Sequence, residues 1–155
     1  MTIRIPHAHM PVIEWHWPTL SNGIDWDASA VPGEPDLVDI IWRTDAVPAP
    51  TAAEIAALAD GPEWLAHRKR ALKVGLVGTV TAPVAAAWAS VPEMIRLHNP
   101  QLLSVANQAR HAADMTAMAG ALSDAQQAID AAQTVADAEA AAAAVTLPTP
   151  AGPEE

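Results

Sequence analysis

The stretch from residue 115 to residue 136, MTAMAGALSDAQQAIDAAQTVA, says more about the fold than any other part of the chain. Its apolar residues recur at alternating steps of three and four. A 3.5-residue repeat kept over about three heptads is typical of a helix that packs against another helix along one narrow face. We call these residues the seam and expect it to join helices between chains of a homo-oligomer. The seam consists of Met115, Met118, Leu122, Ala125, Ile129, Ala132 and Ala136.

Two interpretations of the helix around the seam are open. Gly120 could end one helix and Ser123-Asp-Ala-Gln126 could start another, which would give a hairpin. The seam, however, keeps its phase across Gly120, and one glycine inside a helix costs only about 1 kcal/mol. Residues 100–146 are therefore predicted to form a long Ala-rich helix or a helical hairpin, with a slight preference for one continuous helix. Residues 147–155 are predicted to be an acidic tail.

The first 50 residues have a different composition, with seven prolines and four of the six tryptophans of the chain. This composition predicts an extended arm with one or two short strands, since Pro interrupts helices and Trp supplies apolar area. Alternating residues predict one strand at Ile13, Trp15 and Trp17 and another at Val38, Ile40 and Trp42. We expect the arm to lie on neighbouring subunits. The arm residues predicted to make that interface are Ile13, Trp15, Trp17, Trp26 and Trp42.

From residue 51 onward the chain carries helix-start signals. Thr51-Ala-Ala-Glu54 is a capping box, and Asp60-Gly-Pro-Glu63 and Ser90-Val-Pro-Glu93 repeat the pattern. Asn99-Pro100 is a further start signal. These signals predict a region of short helices over residues 51–99 and a mainly α fold. The predicted helices span residues 52–59, 62–74, 91–98 and 100–119.

The chain is acidic, with 18 Asp and Glu against 8 Lys and Arg and a net charge of −10. Such a charge repels phosphate backbones, so we expect no nucleic-acid partner. Half of the Lys and Arg residues lie at 67–73 together with His67, and no Lys or Arg follows Arg110. The acidic end is either a solvated helix or a segment that docks on a basic patch, its own or a neighbour's. The absence of Cys excludes disulfides and thiolate metal sites.

Two other classes of function have candidate residues. His7, His9 and His16 have a spacing that could bind a metal, which would make the chain a metal-binding domain. Residues 74–92 carry no charge and approach bilayer length, which would suit a small membrane-associated protein. That stretch is poor in Leu, Ile and Phe, so a buried loop with a short helix is the better prediction. The first six residues contain no apolar segment of a secretory signal. We expect no cofactor, no metal and no membrane partner.

No catalytic motif is visible in the sequence. The chain contains no nucleophile elbow, phosphate-binding loop or HExxH sequence. Glu54, Glu63 and Glu93 are explained as partners in helix starts. We therefore expect a protein that is not an enzyme.

Residues 38–70 resemble small tail-fibre assembly and tail-accessory proteins of tailed bacteriophages. The resemblance rests on Val38-Asp-Ile-Ile-Trp42-Arg-Thr, on Val47-Pro-Ala-Pro50-Thr51-Ala-Ala-Glu54-Ile55 and on Trp64-Leu-Ala-His-Arg68-Lys-Arg. It implies a non-enzymatic structural or assembly protein in the fibre or baseplate region of a phage tail. The implied partners are other phage structural proteins. The implied locations are the virion and, during assembly, the host cytoplasm.

Overall fold

The computed structural model describes residues 1–154 and divides the chain into two compact units, Met1–Ala66 and His67–Glu155. The fold is mostly helical (58%) and contains a small three-stranded antiparallel sheet. The boundary between the units lies between residues 66 and 67. The strands are β1 (Thr2–Pro6), β2 (Trp26–Val31) and β3 (Glu34–Trp42). The α-helices are α1 (Met10–His16), α2 (Ala52–Ala59), α3 (Pro62–Ala87), α4 (Val105–Ala131) and α5 (Val135–Ala143).

The sheet of the first unit has the order β1-β3-β2, with β3 in the centre. Ile40 of β3 pairs with Ile3 of β1 and with Ala28 of β2. Val38, Ile40 and Trp42 alternate with less buried neighbours, as expected of a strand with one face on a core. The predicted strand at 38–42 is therefore confirmed. The hydrophobic core of this unit consists of Ile3, Ile5, Ile13, Trp26, Val38, Ile40, Trp42 and Ile55.

The predicted strand at Ile13, Trp15 and Trp17 is wrong, because these residues lie in and just after helix α1. Pro11 stands in the first turn, where its missing N–H costs nothing. A strand would have put Val12 and Ile13 on opposite faces, whereas both are fully buried in the helix. The prediction of an extended arm is not confirmed either. Residues 1–50 instead contain three strands and a helix, which form one core together with Ile55 of α2.

Helix α2 starts at the capping box that the sequence predicts. The Thr51 hydroxyl accepts a hydrogen bond from the Glu54 backbone N–H at 3.2 Å. The Glu54 carboxylate accepts one from the Thr51 backbone N–H at 2.7 Å. Two backbone donors that the helix leaves without partners are satisfied in this way. The predicted helix 52–59 is therefore confirmed.

Helix α3 begins at Pro62 as predicted, but it extends to Ala87 instead of ending near residue 74. The predicted buried loop with a short helix over residues 74–92 is therefore wrong for residues 74–87. The helix continues because Leu76, Val80, Val84 and Trp88 recur every four residues and are all buried. Burying these four apolar side chains outweighs about 1 kcal/mol for each helical glycine and about 3 kcal/mol for Pro83 inside the helix.

The segment between α3 and α4 differs from the two helices predicted at 91–98 and 100–119. It contains a π-helix at Met94–His98 and a 3₁₀ turn at Pro100–Leu102. Helix α4 begins at Val105, where the Ser104 hydroxyl accepts from the Asn107 N–H at 3.2 Å. The chain remains helical through Gly120 and breaks only at residues 132–134. The residues predicted as a rod or hairpin are thus two helices in contact with each other, α4 and α5.

Helices α3 and α4 run antiparallel in the second unit. Lys73 of α3 binds Asp130 of α4 at 2.8 Å, and Trp88 just beyond α3 binds Asp114 of α4 at 2.7 Å. The residue later in the α3 region therefore contacts the earlier residue of α4, as expected of antiparallel helices. Arg68 also pairs with Glu139 of α5. Of the two interpretations of the acidic end, the structure shows docking on the basic residues of the same chain.

Candidate functional site

Three of the five predicted arm residues lie in the core of the first unit. Ile13, Trp26 and Trp42 are buried, and the Trp42 indole N–H donates to the Val47 carbonyl oxygen at 3.1 Å. They stabilise the unit itself, because the sheet and α1 bury them against each other. As placed here, these three side chains present no surface to another subunit.

Trp15 and Trp17 keep part of their surface. The Trp15 ring lies 5.3 Å from the ring of Trp64, and the Trp17 ring meets that of Trp42 edge-on at 5.6 Å. Both tryptophans are half-buried. They share no strand face, because Trp15 lies in α1 and Trp17 follows its end.

The three candidate metal ligands do not assemble into a site. His7 and His9 lie in a 3₁₀ turn, and His16 ends helix α1, where its ring packs beside those of Trp15 and Trp17. Within residues 1–154 no three His, Asp or Glu side chains come close enough together to hold a metal ion. The geometry of this structure gives the metal-binding alternative no support.

The seam is partly buried inside the single chain. Ala125, Ile129 and Ala132 are buried in the second unit, and Ala136 is exposed near the start of α5. Met115, Met118 and Leu122 are half-buried. The 3.5-residue repeat therefore marks a helix face that is at least in part covered by its own chain.

The most elaborate cluster of polar contacts in the second unit surrounds Asp114, which the sequence did not single out. This carboxylate is almost fully buried and accepts three hydrogen bonds. The Trp88 indole N–H donates at 2.7 Å, the Ala151 backbone N–H at 2.9 Å and the Gly152 backbone N–H at 3.1 Å. A buried charge is tolerated only with such partners. Asp114 thus ties residues 151–152 to helix α4.

Two further side chains of α4 hold the end of the same segment. The Asn107 carboxamide makes two hydrogen bonds to the backbone of Glu154, accepting from its N–H at 2.7 Å and donating to its carbonyl at 3.3 Å. Arg110 pairs with the Glu154 carboxylate. Asn107, Arg110 and Asp114 are spaced three and four residues apart, so they share one face of α4. We call these three residues and Trp88 the tail groove.

The electrostatics of the tail groove favour an ionised Asp114. Burial by itself raises the pKa of this carboxyl group, because it penalises the charged form. The hydrogen bonds from Ala151, Trp88 and Gly152 and the nearby His111 together outweigh burial and lower the pKa below its ordinary value. His111 packs edge-on against Trp88, with ring centroids 5.0 Å apart. With all three donors engaged, the carboxylate acts as an anchor and is not positioned as a general base.

A pattern in the sequence does point to this cluster. Counting back from Leu122 and Met118 in steps of four and three reaches Asp114 and then His111. The buried residues of α4 include Asp114 and His111, whereas the seam defined from the sequence passes through Met115. A charged residue on the apolar face of a helix requires a buried partner. The sequence therefore indicates that Asp114 has a buried partner. It does not identify that partner, because Ala151 lies 37 residues further along the chain.

Four exposed apolar side chains lie in the segment between α3 and α4 and at the first residue of α4. These side chains are 70%, 48%, 68% and 85% exposed at Met94, Leu97, Leu102 and Val105, respectively. The π-helix and the 3₁₀ turn that carry the first three contact each other. We call these four residues the connector surface. Concentrations of exposed apolar side chains are typical of protein-binding surfaces.

Residues 74–92 now lie mainly in helix α3. Across residues 1–154, no helix combines the length and the apolar character needed to cross a bilayer. A comparison with models of known protein families, with characterised proteins and with solved structures found no significant match.

Proposed function

We propose that this chain is a non-enzymatic structural or assembly protein that works by binding other proteins in the tail of a tailed bacteriophage. The connector surface carries the proposal. Four apolar side chains within twelve residues are exposed to water. Burying them would be favourable by about 25 cal/mol for each Å² of apolar surface removed from water. A partner that covers these side chains would recover that energy.

The phage setting rests on the resemblance of residues 38–70. The sequence features behind that resemblance correspond to strand β3 with Trp42, the capping box of α2 and the start of α3. The fibre or baseplate region, the other structural proteins of the particle, and further copies of this chain are the partners we propose. The virion and the host cytoplasm during assembly are the corresponding locations.

The finer roles belong to the same proposal. Trp15 and Trp17, the two predicted arm residues that are only half-buried, would contact neighbouring subunits. The half-buried part of the seam, Met115, Met118 and Leu122, would join copies of the chain side by side. Residues 1–50 would then act as an arm in the assembled particle, and α4 with α5 as the Ala-rich helical body.

Purified particles test this proposal. Particles released by a culture that carries the gene are separated on a density gradient, and peptides of this chain are measured by mass spectrometry. We expect the chain to sediment with the particles or with tail intermediates. Its absence from both fractions would refute the phage role.

A matched pair of variants tests the connector surface. Val105→Asp places a charge on that surface at the first residue of α4, where an acidic residue suits the helix dipole and should not impair folding. Ile24→Asp changes another strongly exposed apolar residue, in the first unit (73% exposed against 85% for Val105), and serves as the control. We expect Val105→Asp to reduce particle-associated protein at least tenfold and Ile24→Asp to leave it unchanged. Equal amounts for the two variants would remove the connector surface from the proposal.

A further inference from the structure

The tail groove has the features of a peptide-binding site. Asn107 binds the backbone N–H and carbonyl of one residue, and Asp114 accepts from two consecutive backbone N–H groups. Contacts of this kind recognise the backbone of a peptide whatever its side chains. Arg110 adds a preference for an acidic side chain through its pair with Glu154.

Gly152 gives the groove a second element of selectivity. Its φ is +68°, a backbone conformation that other residues adopt only with strain. A Cβ atom at this position would lie 3.2 Å from the Ala87 carbonyl oxygen and 3.6 Å from the Ala87 Cβ. The groove therefore favours a glycine one residue after the first donor and an acidic residue two positions beyond that glycine. Residues 151–154, Ala-Gly-Pro-Glu, meet both conditions.

The segment that leads into the tail groove, residues 145–150, has a backbone that lets the tail reach a second copy of the chain. Residues 145–150 form no helix or strand, and their backbone makes no hydrogen bond within the described residues 1–154. Pro148 and Pro150 favour the extended polyproline conformation, which advances about 3.1 Å per residue. Six such residues span roughly 19 Å. The hydrogen bonds that fix the tail thus lie at residues 151–154, whereas Val145, Pro148 and Pro150 before them are held only by being half-buried.

We propose that the tail groove also accepts residues 151–154 of a second copy of this chain, so that copies associate by exchanging tails. Every copy carries both the groove and the peptide that fits it. Because the exchanged contacts are identical to the internal ones, an exchanged dimer loses none of them. This inference goes beyond the proposed function and holds whether or not the chain belongs to a phage tail.

Two full-length variants with complementary defects test the exchange. Gly152→Val prevents the tail from binding but leaves the tail groove unchanged. Asp114→Asn weakens binding by the tail groove but leaves the tail unchanged. Neither variant can exchange tails with itself, so at protein concentrations too low for the proposed seam contacts each alone should elute as a monomer of about 16 kDa in size-exclusion chromatography with light scattering. Their mixture should give a one-to-one dimer of about 32 kDa, twice the chain mass. A mixture that stays monomeric while both variants are folded would overturn the proposal.

Asp114→Asn is the variant that is more prone to misfold, because Asp114 is buried. If circular dichroism shows a loss of helix, Arg110→Glu replaces it. Arg110 is at the surface, and a glutamate there repels Glu154. The mixture with Gly152→Val is then judged by the same masses.

A labelled peptide locates the binding event. A fluorescent peptide with the sequence of residues 146–155 is titrated into full-length Gly152→Val, whose groove is vacant, and into the unaltered chain. We expect saturable binding to Gly152→Val, and binding at least tenfold weaker to the unaltered chain, because its own tail competes at high effective concentration. The same peptide with valine in place of its glycine should not bind. Equal affinity for both proteins, or no binding to folded Gly152→Val, would refute the groove as the site.

Discussion

At the scale of single residues, Asp114 connects segments that are far apart in the sequence. Its carboxylate joins the indole that follows α3 to the backbone of residues 151–152. Removing a carboxylate from water is costly, and three donors, two of them from the backbone, compensate for that cost. His111 lies beside it with a buried Nε2 for which the described residues offer no hydrogen-bond partner.

Replacing this carboxylate should weaken the second unit. Asp114→Asn keeps the shape but loses the charge, and its NH₂ group faces donors instead of acceptors. We expect the free energy of unfolding to fall by about 2–3 kcal/mol, measured by urea denaturation. Asp124→Asn, on the exposed side of the same helix, is the control and should change it by less than about 0.5 kcal/mol. Equal stabilities of the two variants would contradict the anchoring role of Asp114.

The same group predicts a dependence on pH. Because folding lowers the pKa of Asp114, the unfolded chain binds its proton first as the pH falls. The stabilisation by Asp114 is therefore complete above the ordinary aspartate pKa of about 3.9 and is lost as the pH falls through the lower pKa of the folded state. The stability difference between the unaltered chain and Asp114→Asn should be constant above about pH 5 and shrink below about pH 3.9. If the stability difference between the two proteins grew on acidification, folding would raise the pKa of Asp114 and not lower it.

At the scale of elements, the capping box of α2 has a local cause and a measurable effect. Thr51→Ala removes the hydroxyl that accepts from Glu54, which should lower the free energy of unfolding by about 1 kcal/mol. Thr19→Ala, at an exposed position outside any helix or strand, is the matched control. Urea denaturation of the two variants measures the difference. If both behave like the unaltered chain, the capping box contributes nothing to stability.

The elements that could be predicted from sequence are those fixed by nearby residues. The start of α2 depends on Thr51 and Glu54, and β3 shows its alternation within five residues. Helix α1 and the second half of α3 were mispredicted, because the burial of Val12 and of Val84 depends on distant segments. The tail groove was missed for the same reason. Nothing near Asp114 in the sequence indicates that residue 151 is its partner.

At the scale of the whole molecule, each of the two units has its own buried residues. Ile40 is fully buried in the first unit and Ile129 in the second. We expect two transitions in calorimetry, with Ile40→Ala lowering the midpoint of one and Ile129→Ala that of the other. Such substitutions cost about 2–5 kcal/mol, which shifts the midpoint of a small domain by roughly 8 °C or more. A single transition that both variants lower equally would mean that the chain unfolds as one cooperative body.

The tail groove also sets an order of events during synthesis on the ribosome. All partners of the first unit's core have been made once residue 66 is added. Asp114, in contrast, waits for donors made 37 and 38 residues later. At 5–20 residues per second that delay lasts about 2–8 s. During those seconds the nascent chain holds only one of the three donors to this carboxylate, the Trp88 indole N–H, and residues 151–152 of a completed copy nearby can supply the other two.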